Sequence, residues 1–225
     1  MRRSAITTGL AVVLLASTLA DCAPSLTDPE MLLTRAGEEM ARLQSVRFVL
    51  LRDGDPVLLD AALGARFTRA SGEYRAPGQV HAVVNATVGS AVLTIEVLWS
   101  PQGVFATNPL TGVYAKVSGP IALDAPGVFA PGGLPDTLRN GLRAVTLVGS
   151  ETLDGRDTYH VRAEADGARL KPLTGGVLVE GTHTVELWID RSSSHLLRLR
   201  DRDPTGSGWR LDLTAQNTPV DMPLP

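Results

Sequence analysis

The sequence predicts an α+β domain, with one amphipathic N-terminal helix followed by an antiparallel sheet that is apolar on one face. Three observations carry this reading. The hydrophobic period changes from helical to alternating near Val46. Turn signals then recur at Asp53-Gly54, Ser71-Gly72, Gly89-Ser90, Asp154-Gly155 and Thr205 to Gly208. The segment from Val80 to Trp99 also closes on itself as a hairpin in which every inward pair is apolar.

The chain opens with Arg2 and Arg3 ahead of an apolar run from Gly9 to Ala16 and a stretch of small residues, the pattern of a secretory signal. A membrane span needs roughly 20 apolar residues, and this run is shorter. Leu19, Ala20, Asp21 and Cys22 resemble a lipobox, in which the leader is cut before a cysteine that receives a diacylglycerol. Asp21 departs from the Gly, Ala or Ser usual there. Cleavage after Ala20, giving a secreted protein, and an uncut leader with an ordinary Cys22 are the alternatives. The expected organisation is a signal peptide over 1–21, a tether over 22–27 and a single domain over 28–225.

Thr27-Asp28-Pro29-Glu30 has the form of a capping box with proline in the first turn, so a helix is expected to begin there. Leu32, Leu33, Ala36, Met40 and Leu43 form one apolar stripe at spacings of three and four. In the hairpin, Gly89-Ser90 suits a type II′ turn, which needs glycine first. If Val88 faces Ala91, then Ala86 faces Leu93, Val84 faces Ile95, Ala82 faces Val97 and Val80 faces Trp99. His81, Asn85, Thr87, Thr94 and Glu96 take the other face. Tyr159, Val161, Ala163 and Ala165, then Val185, Leu187 and Ile189, then Leu211, Leu213 and Ala215 repeat the alternation. Between these halves, Gly119 to Gly133 reads as a long Pro/Gly-rich loop, followed by a short helix from Pro135 bearing Leu138, Leu142 and Val145. Ala168 to Leu173 is expected to add a helical turn.

Little in the sequence points to chemistry. The single cysteine excludes an internal disulfide, so the domain must rest on its core. A net charge of −3 does not favour nucleic acid. His81, His160, His183 and His195 are widely separated and lack metal-ligand spacing. No G-x-S-x-G elbow, Walker A loop or dinucleotide fingerprint occurs, so neither catalytic residues nor a cofactor is expected. Ser192-Ser193-Ser194 and the pairs Asp53/Asp55 and Asp201/Asp203 read as turn residues. The apolar pattern itself fits a filled core and a core with room for an acyl chain equally well, because both need the same residues inward.

Particular segments resemble the LppX/LprAFG lipoprotein family of mycobacteria and related bacteria. These are Leu43-Gln44-Ser45-Val46-Arg47-Phe48 at the end of the first helix, Gly103-Val104-Phe105-Ala106, Leu153 to Tyr159, and Val185-Glu186-Leu187-Trp188-Ile189-Asp190 with His195-Leu196-Leu197. The resemblance implies a strongly curved antiparallel half-barrel with helices covering its concave apolar face. It further implies an exported, membrane-anchored lipoprotein that binds acyl lipids or glycolipids and carries them in the cell envelope. Cys22 would be the anchor to the outer face of the cytoplasmic membrane. Leu32, Leu33, Ala36 and Met40 of the helix, with Val84, Ala86, Leu93, Ile95 and Val97 of the hairpin, would line the cavity, and the loop from Gly119 to Gly133 would form its rim. The competing expectation is a non-catalytic envelope accessory lipoprotein with a packed core and a protein partner.

Overall fold

The computed structural model describes residues 27–60, 64–118, 124–170, 178 and 180–223. Cys22, the leader, most of the tether and part of the expected rim, 119–123, lie outside these residues. Helix α1 spans Pro29–Ala41, and its N-cap is Asp28, whose side chain accepts a hydrogen bond from the Glu30 backbone N–H at 3.0 Å. The cap therefore falls one residue later than the capping-box reading. An aspartate directly before a proline at N1 supplies the oxygen and the entry geometry together.

Strands β1 (Ser45–Asp53), β2 (Leu58–Asp60), β3 (Ala65–Arg75), β4 (Gln79–Val88), β5 (Ala91–Ser100), β6 (Gly103–Thr107) and β7 (Tyr114–Lys116) follow. Two short helices come next, α2 (Ala125–Phe129) and α3 (Leu134–Asp136), the latter running into a π turn at Thr137–Gly141. Strands β8 (Leu142–Leu153) and β9 (Arg156–Asp166) precede α4 (Gly167–Leu170), and β10 (Thr182–Asp190), β11 (Leu196–Arg202) and β12 (Gly208–Thr214) complete the chain.

Three expectations are corrected here. Ser71-Gly72 lies inside β3, not in a turn: a Cβ on Gly72 would stand 2.1 Å from the His81 carbonyl oxygen, so glycine allows β4 to approach closely. The expected loop holds α2, begun by Asp124, whose side chain accepts from the Gly127 N–H at 3.1 Å. Leu142 and Val145 belong to β8, because Gly141 ends the helical turn before them.

The sheet is open and wholly antiparallel, in the order β7-β6-β5-β4-β3-β1-β12-β11-β10-β9-β8, with β2 beside β3. The first and last strands pair at its centre, while β7 and β8, successive in sequence, form opposite edges. Among the described residues between these two edge strands, 124–141 carry α2, α3 and the π turn. The expected hairpin register is observed in full, from Val80 opposite Trp99 to Val88 opposite Ala91, and Gly89 takes φ +58°.

One apolar face runs through the sheet. Across the centre, Leu50 faces Leu211, Leu211 faces Leu199 and Leu199 faces Leu187. Val161, Ala163 and Ala165 of β9 are buried, as are Val185, Leu187 and Ile189 of β10. A sheet this wide and twisted does not stay flat, and one core joins Val80 and Trp99 of one half to Val161 and Leu187 of the other. Phe129 of α2 stacks on Tyr74 with centroids 4.7 Å apart and lies 5.8 Å from Phe48, tying α2 to the sheet.

Candidate functional site

Between the apolar face of β1, β10, β11 and β12 and the segment carrying α2, α3 and the π turn lies a cavity of about 240 Å³. Its sheet wall is Phe48 and Leu50 of β1, Phe67 of β3, Val185 of β10, Leu199 of β11, and Trp209 and Leu211 of β12. Alternation puts these side chains on one face, and the antiparallel pairing sets them in rows. Opposite them stand Ala125, Val128 and Phe129 of α2, then Leu134 and Leu138, with Leu142, Leu170 and Leu178 completing the wall. Val57, Leu58 and Leu59 also line it, although Leu58 and Leu59 are about half exposed. This makes the β2 segment an apolar rim.

One row of the sheet wall departs from this chemistry. Arg52 faces Trp209 across β1 and β12, Trp209 faces Asp201 across β12 and β11, and Asp201 faces Val185 across β11 and β10. Asp201 lines the cavity with its side chain 5% exposed, and its Oδ1 lies 2.8 Å from Nδ1 of the fully buried His183. Burial pushes the Asp201 carboxyl above its ordinary value, against the opposing pull of His183. The Arg52 guanidinium lies 5.1 Å from the centroid of the Trp209 ring and 3.7 Å from the Asp203 carboxylate. Asp203 in turn binds the Thr205 and Ser207 backbone amides, as its turn reading expects. Asp201 does not follow that reading. It is a buried strand residue, the last but one of β11.

No group of three metal-ligating side chains occurs among the described residues. Ser192 and Ser193 donate through amide and hydroxyl to Asp190 Oδ1, the turn role expected for this stretch.

The nine side chains expected from the resemblance to line a cavity lie elsewhere. Leu32, Leu33, Ala36 and Met40 are buried on α1 within the core, and α1 packs on α3, the π turn and β8. Ala86 is buried, and Val84, Leu93, Ile95 and Val97 are half-buried on the inner hairpin face. The cavity lining includes none of them. Alternation identifies which side chains face inward, and says nothing about where the opposite layer stands away from the sheet. A usable signal for the lining of this cavity lay in the β11–β12 hairpin. With Arg202 facing Gly208, the register sets Asp201 opposite Trp209 and Leu199 opposite Leu211.

The LppX/LprAFG lipoprotein family model matches residues 28–222. The crystal structure of LprF from Mycobacterium bovis matches with a TM-score of 0.70 at 20% identity, covering 88% of this chain and 97% of that one. That of the lipoprotein LppX from Mycobacterium tuberculosis matches with a TM-score of 0.62 at 18% identity, covering 87% of this chain and 99% of that one. No curated protein matches the chain. At these identities the solved structures speak for the open, curved sheet, and the family match over residues 28–222 speaks for descent: the chain belongs to the LppX/LprAFG lipoprotein family.

Proposed function

We propose that this protein is an exported envelope lipoprotein, anchored through Cys22, which shelters acyl chains of a lipid or glycolipid between its curved sheet and the helices over it and carries them between membrane sites. The observation that supports this most directly is the cavity. It holds about 240 Å³ of space inside a wall that is apolar except near Asp201 and Thr137. Interiors approach crystal density and hold few voids larger than a water molecule, so an apolar space of this size supports a bound ligand. Each methylene buried is worth about 0.8 kcal/mol, so an acyl chain is held by a dry slot without directional contacts.

The volume sits just below the roughly 300–1,000 Å³ of ordinary ligand pockets, which suits part of one chain. The rim at Leu58 and Leu59 extends the apolar surface outward, where the rest of a lipid would lie. Membership in a lipoprotein family, the secretory leader and the lone Cys22 support the envelope location.

Native mass spectrometry of the leaderless protein with Cys22→Ser, purified from a lipid-producing host, tests the reading. Stoichiometric acyl lipid released by extraction is the expected result. A mass that stays apo through lipid addition would overturn it in favour of an accessory lipoprotein with a protein partner.

A further inference from the structure

We propose that Asp201 and Trp209 form a polar subsite inside the cavity that takes a hydroxyl group of the bound lipid, so that hydroxylated lipids are preferred over matched lipids without one. This rests on the reading of the cavity as an acyl-chain site.

The two residues face each other across β11 and β12, and both line the cavity. Asp201 Oδ2 and Trp209 Nε1 are each buried with no hydrogen-bond partner among the described residues. Buried polar atoms are nearly always paired, so two orphans on residues that face each other across one cavity wall point to a ligand group. The indole N–H only donates. Asp201 Oδ1 is engaged with His183 Nδ1 at 2.8 Å. Wherever the proton between those two atoms resides, Oδ2 remains an acceptor. A hydroxyl is the smallest group that meets one donor and one acceptor with a single oxygen.

The charges around the pair argue for a neutral group. Arg52 is matched by Asp203 at 3.7 Å, and its guanidinium also lies against the Trp209 ring. Asp201 Oδ1 is held by His183 Nδ1. A carboxylate or phosphate would set its own negative oxygens against Asp201 Oδ2, whereas a hydroxyl donates to it. Burial, which pushes the Asp201 carboxyl upward, marks the same environment as poor in water.

The hydroxyl could belong to an acyl chain or to a partly acylated headgroup, and two matched pairs separate these sources. The leaderless Cys22→Ser protein is titrated with a hydroxyoctadecanoate methyl ester against octadecanoate methyl ester, and with a diacylglycerol against its O-methyl ether. The hydroxylated member of at least one pair should bind about tenfold tighter, the scale of a hydrogen-bonded pair left unmade. A preference in the first pair assigns a chain hydroxyl, and one in the second a headgroup hydroxyl.

Trp209→Phe removes the donor but keeps a ring for Arg52 and Phe67. Asp201→Asn keeps an oxygen for His183 and turns the free acceptor into a donor. Each variant removes one of the two hydrogen bonds and should shrink the preference, and the double variant should bring it near unity; the ratio within each pair is what is read, so an effect on both members alike cancels. Equal affinity within both pairs, or a preference that survives the double variant, would overturn the subsite while leaving the cavity reading intact, with a bound water as the partner of the two atoms. Failure of all four lipids to bind would remove both.

Discussion

Leu199→Trp should block the cavity, and Val84→Trp should not. Leu199 lies at the middle of the sheet wall, between Leu187 and Leu211, and lines the cavity. Tryptophan adds about six heavy atoms there; if each displaces one methylene worth about 0.8 kcal/mol, the ceiling loss is about 5 kcal/mol. Partial relaxation of the wall, typical of overpacked sites, should reduce this to about 2–3 kcal/mol. At about 1.4 kcal/mol per decade, acyl-probe affinity would fall roughly 30- to 150-fold. Val84 is half-buried on the hairpin face and outside the lining, so the same bulk there should leave affinity within about threefold, under 1 kcal/mol. Titration with a fluorescent fatty acid, checked by native mass spectrometry, reads both. The reverse result, with Val84→Trp abolishing binding and Leu199→Trp sparing it, would refute the cavity as the binding site and place the lipid along the β4–β5 hairpin.

Other predictions concern the frame around the site. Phe129→Ala removes the ring that stacks on Tyr74 and should cost about 3 kcal/mol in urea unfolding, at the low end for a buried aromatic because α2 is short; an unchanged midpoint would mean that α2 is held by other contacts. Gly72→Ala puts a Cβ 2.1 Å from the His81 carbonyl oxygen, so β3 and β4 must separate, at about 3 kcal/mol. A loss under 0.5 kcal/mol would show that the strands give way freely. The Asp190 carboxyl lies below its ordinary value: burial pushes it up, but hydrogen bonds from Ser192 and Ser193 and the nearby Arg156 outweigh that. Its folded value being depressed, its stabilisation is complete above the ordinary 3.8 and disappears as pH falls through the lower folded value. Asp190→Ala should therefore be less stable by about 2–3 kcal/mol at neutral pH, the range for charged hydrogen bonds, and its deficit should shrink in acid. A deficit independent of pH would assign the effect to packing alone.

The parts of this fold that local rules govern were legible in the residues. The register of the β4–β5 hairpin followed from one turn and a period of two, because a slip by a single residue would expose every apolar side chain. The stripe of α1 followed from the 3.6-residue period, and the buried Leu32, Leu33, Ala36 and Met40 match it. Turn chemistry was less reliable. Ser71-Gly72 has the composition of a turn, but its glycine serves a close strand contact that only the pairing of β3 with β4 creates. Likewise Asp201 beside Asp203 reads as a turn pair, and only the register with Trp209 shows that one of them faces inward.

By itself, then, the sequence determined which residues face inward, where the chain is punctuated and, through scattered hairpin segments, its family. Those properties depend on neighbours a few residues apart or across a tight turn. Tertiary structure alone decided that the first and last strands pair and that β7 and β8 stand at opposite edges. It also decided where the segment carrying α2 and α3 stands off, leaving a cavity lined by Leu199 and Leu211 and not by Val84 or Ile95. A gap between two layers belongs to neither layer's pattern, since it is set by the side chains of both and by the distance at which α2 and α3 come to rest on the sheet.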